Sequence, residues 1–252
     1  GVAPGASLWS VRVLDSSGGG TMDSIACGLD WIHENRDIID VVNMSLGGDV
    51  GQDVMSLIRA CDAPYLPQPE SRIVDPMHEA ICRLHDDGIP VVVAAGNGDN
   101  LAEQTVPAAY DEVITVSSFV DTDGLPGGLG GRVDTKQCPF GGWDDRFFTH
   151  HNFTPEQRYG SYSGKAVDIS APGVCVLSTL PDGTLARLTG TSMATPHVTG
   201  IIAKWFGDNP AAKDLDVETV RKVLLINAEQ TGMEDFRDKD AWSDPIAQVI
   251  GG

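Results

Sequence analysis

A serine at the point where a turn becomes a helix is a candidate nucleophile. The segment Gly190-Thr-Ser-Met-Ala-Thr-Pro-His-Val-Thr-Gly200 puts Ser192 there, after the strand-like Ala186–Leu188 and before the apolar run Val198–Phe206. Backbone amides at such a point face outward and the helix dipole favours negative charge, so an anion forming beside the serine oxygen is stabilised. The segment is not a GxSxG elbow, because Ala194 stands two residues after Ser192. Taken alone, a helix-capping serine fits the same pattern. Asn97, at the end of the apolar Val91–Gly96, is the second position of interest. Its amide can donate to an oxyanion, or it can serve a turn that needs unusual dihedrals. His197 invites assignment as the base for Ser192, but five positions along a helix carry it away from the serine, and a packed, hydrogen-bonded histidine is expected. His33, His78 and His85 fall in amphipathic helical patterns, where solvent-facing or core-edge roles are ordinary. His150 and His151 lie in a long irregular stretch without further ligands to make a metal site.

The elements that must position these groups alternate. Leu8, Val11, Val13 and Leu14 predict a short strand, broken by Gly18–Gly20. A helix follows, capped by Thr21 or Asp23, with Ile25, Leu29, Ile32 and His33 at helical spacing toward Asn35. Ile38–Leu46 predicts a buried parallel strand ending at Gly47-Gly48. Pro76–Asp87 carries Met77, Ile81 and Leu84 on one helical face, Gly88 stops it, and the runs Ile89–Ala95 and Val113–Val120 read as two further buried strands. Such alternation predicts a three-layer α/β fold, a parallel sheet with helices on both faces, and ligands bind beyond the carboxyl ends of such strands. Both glycine-rich strand ends, Gly47-Gly48 and Gly96-Asn97-Gly98, fall where a site belongs. Residues 61–75 and 121–163 read as insertions, too long and aperiodic for ordinary connections. Gly127–Gly131 is not placed between a strand and a helix, so it is no phosphate cradle. Asn152-Phe-Thr is a formal glycosylation sequon. No internal repeat or second domain is evident, and residues 1–252 read as a single, partial domain.

The 252 residues carry 36 acidic against 17 basic side chains, a net charge of −19. That balance argues against a nucleic-acid partner, which needs clustered Lys and Arg. It is consistent with a solvated acidic surface, a high-salt habitat or surface calcium sites. The longest apolar run is too short for a transmembrane helix, so no membrane partner is expected. No signal peptide is visible in the first residues. The five cysteines, Cys27, Cys61, Cys82, Cys138 and Cys175, show no CxxC pair and no zinc-type spacing with histidine, so no metal site is read from the sequence. At least one is free or bonded elsewhere, and Cys27 and Cys82, in helical patterns, read as core thiols.

Gly190–Gly200 resembles the active-serine segment of the subtilisin-like serine proteases, in which a Gly-Thr-Ser-Met-Ala-x-Pro-His block carries the nucleophile. Ala94-Ala-Gly-Asn97 is similar to that family's oxyanion-hole segment, and Val42-Asn-Met-Ser-Leu-Gly-Gly48 to its substrate-cleft strand. Gly1–Leu8, Ser170-Ala-Pro-Gly173 and Leu177-Ser-Thr-Leu-Pro181 resemble further landmarks in the family's order. The resemblance implies a serine endopeptidase with Ser192 as acyl-forming nucleophile, and Asn97 and the Ser192 amide as oxyanion donors. It also implies peptide-binding walls at Ser45, Leu46, Gly47 and Gly48 and at Ala94, Ala95 and Gly96, with Thr105 on the pocket floor. Glycines in those walls let a substrate backbone approach closely. His197 is structural in the family. No cofactor is required for such chemistry, structural calcium is compatible with it, and the partners implied are peptide or protein substrates outside the cell.

Acyl transfer by serine also needs a base and a carboxylate that orients it. In the family these precede the serine, in an Asp segment and a His-Gly-Thr-His block, and both would lie upstream of Gly1. The expectation is therefore an N-terminally incomplete catalytic domain that is inactive alone and needs a missing segment carrying the Asp and His. An inactive peptide-binding or scaffold relative, and one half of a split protease, remain as alternatives. With no charged side chain evident in the pocket walls, cleavage after medium apolar or uncharged residues is expected.

Overall fold

The β-branched runs Val91–Ala94 and Ile114–Phe119 are buried on both faces, as inner strands of a parallel sheet are. In the computed structural model, which describes residues 1–50, 61, 75–98, 102–121 and 167–228, four strands pair in the order β1 (Val42–Met44), β3 (Val91–Ala94), β5 (Ile114–Phe119) and β6 (Ile169–Pro172), all parallel. Strand β2 (Gly48–Asp49) instead pairs antiparallel with β4 (Thr105–Val106), and β7 (Val176–Thr179) with β8 (Leu185–Leu188). Successive side chains of a strand point to opposite faces. Accordingly Val91 and Val93 enter one core with Ile25, Leu29, Ile81 and Leu84, while Val92 enters the other with Ile114, Val116, Val198 and Ile202. Each such buried side chain contributes about 1.5–3 kcal/mol relative to exposure.

The first core is covered by α1 (Met22–Glu34) and α2 (Pro76–Asp86). Thr21, not Asp23, caps α1, in a reciprocal capping box with Ser24. Asp75 caps α2 by accepting from the amides of Met77 and His78, and Gly88, at φ +77°, ends it where a side chain would be strained. The second core is covered by α3 (Thr191–Asp208) and α4 (Val217–Asn227). Buried Arg221 of α4 reaches across this layer. It donates to the carbonyls of Asp111 and Val113 at 2.8 and 2.7 Å and lies 3.5 Å from Asp168, whose other oxygen accepts from the Thr115 amide at 2.7 Å. No helix among the described residues is long and apolar enough to cross a membrane.

Several expectations are corrected. Leu8–Leu14 is not a strand: it runs without ladder hydrogen bonds, Leu8 is 94% and Trp9 57% exposed, and only Val11 and Val13 pack on the first core. An apolar run becomes a strand only where a neighbouring edge accepts its backbone. Ile38–Leu46 shortens to Val42–Met44 because pairing with β3 spans only those residues. Strand β6, which overlaps Ser170-Ala-Pro-Gly173, is not among the elements that periodicity predicts. Cys27 is an exposed free thiol, since at about 100° per residue it lies across α1 from the Ile25–Leu29–Ile32 stripe. Cys82 is not a thiol but a disulfide partner of Cys61, and Cys175 is also disulfide-bonded. Of the insertions at 61–75 and 121–163, all but Cys61, Asp75 and Asp121 lie outside the described residues, as do His150, His151 and Asn152.

Candidate active site

Two strand ends and one helix start meet at Ser192. Ser192 is the second residue of the 18-residue α3, so its backbone amide is one of the donors a helix leaves unpaired at its N-terminus. Its Oγ donates to the Ser45 carbonyl at 3.3 Å, and the Ser45 hydroxyl donates to the Ser192 carbonyl at 2.8 Å. The nucleophile candidate is thereby docked on the end of β1, beside Ser45–Gly48. No histidine is hydrogen-bonded to Ser192 Oγ among the described residues.

Thr191 joins this helix start to the end of β3. Its amide and hydroxyl donate to Asn97 Oδ1 at 2.9 and 3.2 Å, and its hydroxyl oxygen accepts from the Gly96 amide at 3.2 Å. With Oδ1 held by two donors, the carboxamide rotamer is fixed and Nδ2 is its remaining donor. Thr191 was not singled out from the sequence; its signal is a hydroxyl at the first position of a helix, which reads locally as a capping group.

Glycine is required where the backbone is crowded. Gly190 takes φ +151° and ψ +167°, a region nearly closed to side chains, and its Cβ would lie 3.3 Å from Asn97 Oδ1. Its amide donates to the Gly173 carbonyl at 2.9 Å, and a Cβ on Gly173 would lie 2.1 Å from Ser118 Oγ and 2.8 Å from the Gly190 carbonyl. Gly173→Ala must therefore push the residue before Thr191 out of place. We expect a loss of about 1–3 kcal/mol in denaturant unfolding; an unchanged midpoint contradicts this account.

The other residues expected to line a peptide cleft separate into those that could offer backbone and those that could offer side chains. Ala94 and Ala95 are 3% and 0% exposed, so they offer a cleft only their backbone. Gly47 meets Thr105: a Cβ there would lie 3.1 Å from Thr105 Cγ2, and the β2–β4 pairing aligns Gly48 with Val106 and Asp49 with Thr105. Thr105 is 2% exposed and donates through Oγ1 to Asp49 Oδ1 at 3.1 Å. Asp49 is thus an exposed carboxylate beside Gly47 and Gly48 that sequence reasoning missed, because only the strand pairing reveals its contact with Thr105. Half-buried Leu46 packs on the first core. His197 Nδ1 pairs with the Met193 carbonyl at 2.9 Å, a contact within its own helix. His33 pairs with Asp87, His78 with Glu112 and His85 with Glu218. The described residues contain one grouping of potential metal ligands, Cys61, His78, Cys82 and Glu112. Its sulfur and nitrogen donors do not suit calcium, which takes oxygen ligands.

The chain belongs to the subtilase family, whose sequence model matches residues 1–242. It is 32% identical to subtilisin DY of Bacillus licheniformis over 235 residues, covering 92% of this chain and 64% of the relative. It is likewise 32% identical to subtilisin E of Bacillus subtilis (strain 168), covering 83% and 41% respectively. A crystal structure of a cold adapted subtilisin-like serine proteinase superposes with a TM-score of 0.67 at 25% identity, covering 100% of this chain and 70% of the other. The chain thus spans about two-fifths to two-thirds of these subtilisins, and the three-layer α/β fold is that of the family.

Proposed function

We propose that this chain supplies the nucleophile, the oxyanion donors and the peptide-binding walls of a serine endopeptidase acting outside the cell. The base and its orienting carboxylate come from a segment carrying Asp and His. The observation that carries the reading is the Ser192–Thr191–Asn97 linkage, which brings a helix-start serine and a pre-oriented carboxamide to one set of strand ends. In this reading an extended peptide lies between Ser45–Gly48 and Ala94–Gly96. Ser192 Oγ attacks the scissile carbonyl while its proton passes to the imidazole of the partner segment. The carbonyl oxygen, now anionic, accepts from the Ser192 amide and Asn97 Nδ2. Collapse expels the amine, which takes the proton from the imidazole, and water then releases the acyl group by the same steps in reverse. No cofactor takes part. Support for a covering segment comes from β1, which among the described residues is paired in the sheet only with β3, and from the exposed side chains of Leu8 and Trp9. The test is fluorophosphonate labelling of the chain with and without that segment in trans; labelling at a residue other than Ser192 contradicts the reading.

Thr105 narrows the floor, since its methyl abuts Gly47 and its hydroxyl is engaged by Asp49. We expect the completed enzyme to cut after medium, uncharged residues. In Thr105→Gly, kcat/KM for Phe relative to Ala at that position should rise roughly tenfold or more. A peptide-library profile dominated by Arg or Lys, or one that Thr105→Gly leaves unchanged, contradicts it.

A further inference from the structure

Outside the Ser192 region, four side chains with metal-binding atoms converge beneath α2. His78 and Cys82 are four residues apart on that helix and project from one flank. Cys61 is bonded to Cys82, with a Cα–Cα distance of 5.5 Å. Glu112, 30 residues further along the chain than Cys82 and just before β5, places Oε2 2.9 Å from His78 Nε2, and Cys61 Sγ lies 3.9 Å from the same nitrogen. All four ligand atoms lie within 4.8 Å of one another. The side chains of His78 and Glu112 are only 6% and 12% exposed. The His78 ring stacks on Tyr110 at a centroid distance of 4.4 Å, and the Tyr110 hydroxyl donates to Asp75, the cap of α2. The imidazole is thus held at both its nitrogen and its face.

We propose that Cys61, His78, Cys82 and Glu112 form a redox-gated zinc site, closed as a disulfide and opened to a tetrahedral S₂NO set when the disulfide is reduced. Zinc–sulfur bonds of about 2.3 Å and zinc–nitrogen or zinc–oxygen bonds of about 2.0–2.1 Å place tetrahedral ligands roughly 3.3–3.8 Å apart. The nitrogen-to-oxygen and sulfur-to-nitrogen separations already lie close to that range. The one large change is the sulfur–sulfur separation, which reduction itself supplies by breaking the bond. An external dithiol provides two electrons and two protons, leaving two cysteine thiols and the reductant as its own disulfide. Zinc then displaces one proton from each thiol, and the imidazole binds through Nε2 with its ring proton on Nδ1. Two thiolates and a carboxylate against a divalent ion leave one net negative charge, whereas calcium or magnesium would gain little from sulfur. The set is invisible as a sequence spacing because Cys61 and Glu112 are brought to the helix only by the fold. This site is independent of the proteolytic reading.

The test is anaerobic titration of the whole chain with Zn²⁺ and Co²⁺, oxidised and after dithiol reduction. One equivalent bound only after reduction, with the charge-transfer and intense d–d absorption of tetrahedral thiolate-bound cobalt, is the expected result. Cys82→Ser should weaken binding at least about 100-fold, more than removal of a residue that merely orients a ligand. Glu112→Gln, which keeps the shape if Cys82→Ser does not fold, should weaken it measurably and alter the cobalt spectrum. Cys27→Ser and Cys175→Ser should leave one equivalent bound. Equal uptake by the oxidised chain, no uptake after reduction, a stoichiometry lost with Cys27 or Cys175, or a fold lost on reduction that zinc does not restore each overturns the proposal.

Discussion

Adding a segment that carries the Asp and His in trans is expected to raise peptide turnover by this chain by about 10⁶. That magnitude belongs to subtilisin itself, where loss of the His alone has an effect of this size, rather than to a calculation on this geometry. A serine hydroxyl is a weak nucleophile at neutral pH, and here Ser192 Oγ donates to a backbone carbonyl, which cannot take its proton. The oxyanion donors alone leave a residual acceleration of about 10³–10⁴ over water. The gain should vanish in Ser192→Ala while the segment still binds. Rapid labelling and turnover by the chain alone would overturn this account and point to an internal base, with His150 and His151 the first to replace.

Asn97→Ala in the completed enzyme is expected to lower kcat by about 10²–10³ with little change in KM, again the scale known for subtilisin. The structure adds a complication, because Asn97 Oδ1 also fixes Thr191. Asn97→Asp separates the two roles. It keeps an acceptor for the Thr191 amide and hydroxyl but replaces the Nδ2 donor with an oxygen that repels the developing charge. Its loss in kcat should equal or exceed that of Asn97→Ala, whereas its unfolding midpoint should stay nearer the parent's. If Asn97→Asp retains turnover, the side chain serves only to hold Thr191.

How much was legible in the sequence follows from how local each signal is. Helix α1 was readable from a cap and an apolar stripe and α2 from its stripe and the stop at Gly88, signals that each lie within one segment. The buried strands were readable where β-branched runs were long, as at Val91–Ala94. Strand β6 was not, because Ser170, Ala171 and Pro172 carry no strand pattern of their own and owe their ladder to β5. Leu8–Leu14 failed for the complementary reason: a suitable run has no paired edge in the described structure. At the site, Ser192 and Asn97 stood out by segment, and the structure brings them together through Thr191. Asp49 against Thr105 and the four groups around Cys82 depend on pairings between distant segments, which no spacing records.

Arg221 sets a condition on the order in which this fold can be completed. Its guanidinium satisfies two carbonyls just before β5 and faces the Asp168 carboxylate at the entry to β6, yet it comes from the last helix described. During synthesis from the N-terminus, domains fold largely as units, and β5 and β6 both emerge well before this partner. Until α4 arrives, the second core lacks Val220 and Leu224, so the sheet has reason to stay open to water on that side. A nascent chain arrested before residue 221 should therefore remain protease-sensitive in β5 and β6, and release of α4 from the ribosome should be the event that closes the second core.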